Sequence, residues 1–349
     1  AACLLGLSWE VAYHSRWIAP DVLMMQFLAL ALLGLVQSCE WTLPRGKRRH
    51  WLLFAAAAIG LACGTKYNAI AFVPSLLIAA WFLWDPRDGW RPLATLVLQI
   101  CFLVGGVFLL TTPGAVFEYD RFYTDLARQV THYGELGHGG STVDLGWSHV
   151  WQILVYFATQ AFSPYHWLAP FFFAFCPYGF YCIFRENDRL AVVLTSVLAF
   201  YLLMMALQVV LIVRNDLPLM PVFVLFCARG IAALLEKAGR HLRPVLVAAV
   251  VLACGANAYW LVFAAYETSL RHQPHRYVTQ LGDYLRGHPQ DKYFLSAEVR
   301  DALEKEGRSV RALPVTDSPG EADYIIFYGK QWFDDVLSRP SNMPNFSTT

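Results

Sequence analysis

Residues 51–84 read WLLFAAAAIGLACGTKYNAIAFVPSLLIAAWFLW, and the reading of this stretch decides the fold. A bilayer span takes about 20 apolar residues. The run is too long for one span, and a polar turn, Gly64-Thr65-Lys66-Tyr67-Asn68, interrupts it. It therefore reads as two spans meeting at a membrane surface, with a lysine at the meeting point. Further apolar runs extend outward on both sides: Trp17–Val36 apart from Asp21, Leu93–Thr112, Tyr165–Phe184, Leu190–Val213, Leu217–Leu235 and Val245–Ala265. Ala1–Tyr13 reads as the end of another span. About nine spans are expected in all, and the chain, opening inside an apolar run, is expected to be an N-terminally truncated fragment.

The composition agrees. Hydrophobic residues make up 57% of the 349 residues and charged residues 15%, against about 25% charge in soluble domains. Mean hydropathy is +0.41. The charge is uneven: Arg271–Arg339 carries 21 of the 53 charged side chains, which marks a polar C-terminal tail. Disorder, a coiled coil and a mainly soluble globule are excluded. The net charge of +1 leaves no basic face for nucleic acid. The eight cysteines lie in apolar stretches, with none in the tail and no CxxC or Cys/His spacing, so neither a disulfide framework nor a metal site is expected. No internal repeat is evident.

Basic loops orient the bundle. Arg45, Lys47, Arg48 and Arg49, then Arg87 and Arg91, Arg185 and Arg189, and Lys237, Arg240 and Arg243 alternate with loops poorer in Lys and Arg. The positive-inside rule puts these 11 residues in the cytoplasm and the other loops outside. Leu145–Ser163 tests this scheme. It is uncharged, but Ser148, His149, Gln152 and Gln160 among its aromatics read better as a helix at the interface than as a span. The expected architecture is an α-helical polytopic membrane domain over residues 1–265, with an outer loop over 113–148 or to 163. A small extramembrane α/β domain over 266–349 follows, outside the membrane. In that tail Arg276–Arg286 and Glu298–Glu306 read as helices, and Lys292–Ser296 and Asp323–Tyr328 as strands. Asn345-Phe346-Ser347 fits a glycosylation sequon.

The informative residues are the few charges at outer ends of spans, because ionisable groups there are costly unless they pair, reach water or serve a site. Arg16, Lys66 and Arg214 meet at one surface in this topology and suit a phosphate at headgroup level, Arg as a fork and Lys as a point charge. Snorkelling anchors are the alternative for each taken singly. Asp21 is a candidate partner for Arg16 or a group acting on substrate. His14, Tyr67, His138 and Asp216 are candidates for substrate contact, and Glu10 for pairing with Arg16 or His14. Arg229 reads as an interfacial anchor.

His14-Ser15-Arg16-Trp17-Ile18-Ala19-Pro20-Asp21, Gly60-Leu61-Ala62-Cys63-Gly64-Thr65-Lys66-Tyr67, Thr112-Pro113, Gly137-His138 and Val213-Arg214-Asn215-Asp216-Leu217-Pro218-Leu219-Met220-Pro221 occur in that order. Over roughly Trp9–Ala233 this order resembles the GT-C membrane glycosyltransferases, particularly glycosyltransferase family 39, with its protein O-mannosyltransferases and bacterial aminoarabinose transferases. The resemblance implies inverting transfer of a sugar from a polyprenyl-phosphate donor to an acceptor lipid, glycan or protein at the outer face of a bacterial inner membrane. No cofactor beyond the lipid-linked donor is implied. Lys66, Arg214 and Arg16 would take the donor phosphate. The main catalytic base is expected upstream of Ala1, so Asp21 is a supporting residue and the fragment itself is expected to be inactive. A transporter or lipid flippase and a non-catalytic scaffold are the alternatives. Transporters carry paired repeats and midplane breaks, whereas here the charges gather at one face.

Overall fold

The computed structural model describes residues 1–15, 20–137, 141–271 and 274–326, with the side chains of 267–277 left aside. Arg16, His138 and the Asn345 sequon lie outside the described residues. The chain divides into two compact units, Ala1–Leu261 and Val262–Thr349.

The first unit is helical. Its elements are α1 (Ala2–Gly6), α2 (Trp9–Ser15), α3 (Pro20–Ser38), α4 (Arg45–Thr65), a 3-10 turn (Tyr67–Phe72) leading into α5 (Val73–Leu83), and α6 (Arg91–Thr111). The long loop after α6 holds α7 (Gly114–Phe117) and α8 (Tyr119–Thr131). Then follow α9 (Trp147–Tyr156), α10 (Ala169–Phe173), α11 (Phe175–Glu186), α12 (Asp188–Ala206), a second 3-10 turn (Val213–Leu219), α13 (Met220–Lys237) and α14 (Leu242–Arg271). Among the described residues five helical stretches are long and apolar enough to cross a membrane: Pro20–Ser38, Arg91–Thr111, Asp188–Ala206, Val213–Lys237 and Leu242–Tyr266. Tyr67–Leu83 is a shorter apolar helix. Phe102 and Leu110 on α6 and Val251 and Leu252 on α14 are exposed. Such apolar surface is a liability in water and natural in lipid. The protein is a helical polytopic membrane protein.

The run at 51–84 breaks where the sequence says it should. Lys66 closes α4 in an extended conformation, φ −156° and ψ 128°, and opens the 3-10 turn. The break sits at a tight helix crossing. A Cβ on Gly64 would lie 2.0 Å from Thr111 Oγ1, and one on Gly60 2.8 Å from the Val107 Cβ, so only glycine lets α4 and α6 approach this closely. The apolar run Tyr165–Phe184 holds two helices. It forms α10 and α11, which part at Ala174 between Pro170 and Pro177, where prolines remove backbone donors.

The helices α11 and α13 carry an unanticipated likeness, Phe172-x-x-Phe175-Cys176-x-x-Gly179 and Phe223-x-x-Phe226-Cys227-x-x-Gly230. It packs reciprocally. The Cys176 thiol donates to the Phe223 carbonyl and the Cys227 thiol to the Phe172 carbonyl, both at 3.3 Å. A Cβ on Gly179 would fall 1.8 Å from the Phe226 oxygen, and one on Gly230 2.2 Å from the Phe175 oxygen.

Leu145–Ser163 contains α9, ten residues long, continued by five residues of π-helix, Phe157–Ala161. Together they reach ~22 Å, short of the ~30 Å hydrocarbon thickness. Ile153, Phe157 and Ala161 are fully buried in the main core while Trp147, Trp151 and Val155 are exposed, so the segment packs one face against the bundle.

The second unit contains α15 (Pro274–Gly287), β1 (Tyr293–Leu295), α16 (Ala297–Lys305), β2 (Val315–Thr316) and β3 (Tyr324–Ile326). The three strands are parallel in the order β2-β1-β3, with Tyr293 opposite Val315 on one side and Tyr324 on the other. Leu285, Tyr293, Leu295 and Leu303 form the buried centre of its own small core.

Candidate functional site

The break after α4 gathers charges from four places in the chain. Asp21 stands in the first turn of α3, where a carboxylate complements the helix dipole, and is 1% exposed. The Lys66 ammonium donates to Asp21 Oδ1 at 2.5 Å and to Asn215 Oδ1 at 2.7 Å. Arg214 Nε lies 3.7 Å from the other carboxylate oxygen of Asp21. One buried carboxylate thus holds two cations that the sequence supplies from separate spans.

The two cations differ in access. Lys66 has 18% of its side chain exposed and Arg214 has 41%. Arg214 Nε has no hydrogen-bond partner among the described residues. Lys66 is therefore held by two side chains, while Arg214 is the more exposed of the two cations.

The second 3-10 turn supplies the remaining polar groups. Its backbone is pinned from below: the Tyr201 hydroxyl on α12 donates to the Asn215 carbonyl at 2.5 Å, and Tyr201 is fully buried. Asp216 is also fully buried, and neither of its carboxylate oxygens has a hydrogen-bond partner among the described residues. Glu10 on α2 is 2% exposed and sits 3.0 Å from His14 Nε2, one of the two pairings expected from the sequence. Among the described residues no group of His, Cys, Asp or Glu is placed to hold a metal ion.

Tyr67 follows Lys66 in the chain but serves a different contact. Its ring packs edge-on against Phe122 of α8 at 5.6 Å and Phe108 of α6 at 6.4 Å, tying the long loop to the break. The loop is tied down a second time just before Arg214: Val143 N donates to the Val209 carbonyl and Leu211 N to the Ser141 carbonyl, both at 2.8 Å. Gly137, at φ +71°, makes the turn that this anchoring needs.

Of the residues singled out from sequence, Asp21, Lys66 and Arg214 come together directly, and Asp216 joins them in the second 3-10 turn. His14 pairs with Glu10, and Tyr67 packs in the aromatic contact beside the break. Arg16 and His138 lie outside the described residues. Asn215 and Tyr201 were missed. Asn215 was legible only as the middle of Arg214-Asn215-Asp216, and Tyr201 is one tyrosine among 17.

Residues 1–125 match the family model described as dolichyl-phosphate-mannose-protein mannosyltransferase. The match takes in Glu10, Asp21, Lys66 and Tyr67 and stops short of Arg214 and Asp216. No curated protein and no solved structure matches the chain. Over its first 125 residues the chain is similar to the dolichyl-phosphate-mannose-protein mannosyltransferases, and its helical unit fits a GT-C membrane glycosyltransferase.

Proposed function

We propose that the protein transfers a sugar from a polyprenyl-phosphate-linked donor to an acceptor lipid, glycan or protein at the outer face of the membrane, with inversion at the anomeric carbon. The observation that carries this reading is one buried carboxylate, Asp21, binding Lys66 at 2.5 Å and approached by Arg214 at 3.7 Å. The family match over residues 1–125 supports the donor class.

The acceptor oxygen forms a bond to the anomeric carbon as the bond from that carbon to the phosphate oxygen breaks. The electron pair leaves with the polyprenyl phosphate, so negative charge grows on the phosphate. A preorganised cation is worth most where charge develops away from bulk water. Arg214, the more exposed of the two cations, is the phosphate ligand. Lys66, held by Asp21 and Asn215, adds a fixed positive charge beside it. Asp21 is the positioning residue that sets both, and Arg16 and His138 are further candidates for contact with donor and acceptor. A carboxylate acting as general base takes the acceptor's proton.

The test is reconstitution of the full-length chain in liposomes with a labelled polyprenyl-phosphate hexose. The parent protein should release free polyprenyl phosphate as sugar is transferred, which a flippase would not do. Arg214→Ala should lower turnover by about 100-fold or more, the usual effect of removing one charge-stabilising donor. Unchanged turnover in Arg214→Ala would overturn the phosphate assignment.

A further inference from the structure

A second cationic feature lies at the other end of α4, and the proposed transfer reaction does not use it. The first turns of α4 and the loop from Trp84 to Arg91 carry Arg45, Lys47, Arg48, Arg49, Arg87 and Arg91 against only Asp85 and Asp88, a surplus of four positive charges. Among the described residues Lys47, Arg49, Arg87 and Arg91 form no ion pair, while Arg45 pairs with Asp88 at 2.5 Å.

Two of these cations, Arg45 and Arg49, line a pocket of about 280 Å³. Arg45, Arg49 and Asp88 form part of its wall, and Leu83, Leu93 and Leu96 the apolar remainder. Both guanidiniums are fixed in place. Arg45 donates through Nε to the Leu83 carbonyl at 3.1 Å, and Arg49 donates through one terminal nitrogen to the neutral Gln99 side chain at 2.8 Å. Arg49 thus keeps its full charge and spare donors at the mouth of a half-apolar cavity.

The surroundings mark a membrane surface. Trp41, Trp81 and Trp90 are exposed around this end of the bundle, the amphipathic side chains that settle at headgroup level. The 21 residues of α4 separate the pocket from Lys66 by about 30 Å, one hydrocarbon thickness. A ligand here would therefore sit in the opposite leaflet from the donor site.

The geometry points to a binding site for the headgroup of an anionic phospholipid at the Arg45–Arg49 pocket. Its phosphate lies against Arg49 and the free donors of Arg45, and its acyl chains run down the apolar wall of Leu93 and Leu96. A basic pocket between spans at the level of the headgroups is what such lipids recognise. The apolar lining, with Leu93 partly exposed in front of the buried Leu83 and Leu96, favours a lipid over a soluble phosphate.

The test compares thermal unfolding of the full chain in phosphatidylcholine nanodiscs with and without phosphatidylglycerol, and counts retained lipid by native mass spectrometry. Phosphatidylglycerol should raise the Tm of the parent, and Arg49→Gln should retain it about tenfold more weakly, the loss of one charge-assisted contact. Gln99→Ala removes the same internal bond but leaves the cation, so it should retain the lipid. Lys47→Gln, which alters an exposed charge outside the pocket, should also retain it. Equal loss in Lys47→Gln and Arg49→Gln would overturn the pocket in favour of diffuse surface charge. An equal Tm shift with inorganic phosphate, or with phosphatidylcholine alone, would overturn the lipid as ligand.

Discussion

Removing Asp21 should cost stability that removing its partner as well gives back, while activity does not return. Asp21 has 2% of its side chain exposed and Lys66 18%, so both charges of the pair are largely out of water. Asp21→Ala leaves the Lys66 ammonium with only the neutral Asn215 oxygen at 2.7 Å, and leaves Arg214 without its carboxylate. Breaking a buried pair from one side costs about 3–5 kcal/mol. The lower end applies here, because Asn215 still accepts from Lys66 and a fifth of that side chain reaches the surface. Lys66→Met should cost about as much, because Asp21 then has only Arg214, at ion-pair rather than hydrogen-bond distance. The double variant removes both charges together, and such replacements are often neutral. A coupling of about 6 kcal/mol follows, more than about 10,000-fold in the folded-to-unfolded ratio. Reversible unfolding of the four proteins in the same detergent reads the coupling, and donor turnover is measured beside it. The expected result is a double variant close to the parent in stability and inactive. Additive losses from the two single variants would refute the pair as a buried, mutually dependent unit.

Two other consequences concern the bundle. Gly179→Ala forces α11 and α13 apart, because its Cβ would stand 1.8 Å from the Phe226 oxygen, whereas Gly105 on α6 has nothing within 4 Å. Gly179→Ala should destabilise by about 3 kcal/mol and Gly105→Ala should be neutral or slightly stabilising, and detergent melting curves separate the two. Glu186 is held below the usual carboxylate range first by its hydrogen bond from Arg229. Its folded pKa is depressed, so the pair's contribution is present above the ordinary glutamate pKa of about 4.3 and is lost as pH falls through the lower folded value. The pair is half exposed on the glutamate side, so Arg229→Met should lower stability at pH 7 by no more than about 1 kcal/mol, and the difference should vanish at acid pH.

The break at Lys66 was legible because a charge inside an apolar run has few physical excuses, and the same scarcity made Arg214 and Asp21 stand out. What the sequence concealed was how these groups are bound. Arg16, expected beside Asp21 by proximity along the chain, lies outside the described residues; the described partners of Asp21 are Lys66 and Arg214, which only tertiary packing brings near. Asn215 and Tyr201 are neutral polar residues, common in membrane helices at little cost, so nothing in composition marks them before their hydrogen bonds are seen. The likeness between residues 172–179 and 223–230 is only four shared residues long, too short to read as a repeat until the two helices are seen to cross there. In the tail, β1 and α16 follow from alternation and a terminating glycine. β2 has two residues, Val315 and Thr316, and forms only because β1 offers it an edge.

The central claim is that the Asp21–Lys66–Arg214 cluster takes the phosphate of the donor. The most direct measurement is equilibrium binding of polyprenyl phosphate and of the uncharged polyprenol to the parent protein and to Arg214→Ala. The phosphate should lose about tenfold or more in affinity on the substitution, the worth of one charge-assisted hydrogen bond, while the polyprenol should bind both proteins alike. Equal binding of polyprenyl phosphate to both proteins, or an equal loss for phosphate and polyprenol, would contradict the account.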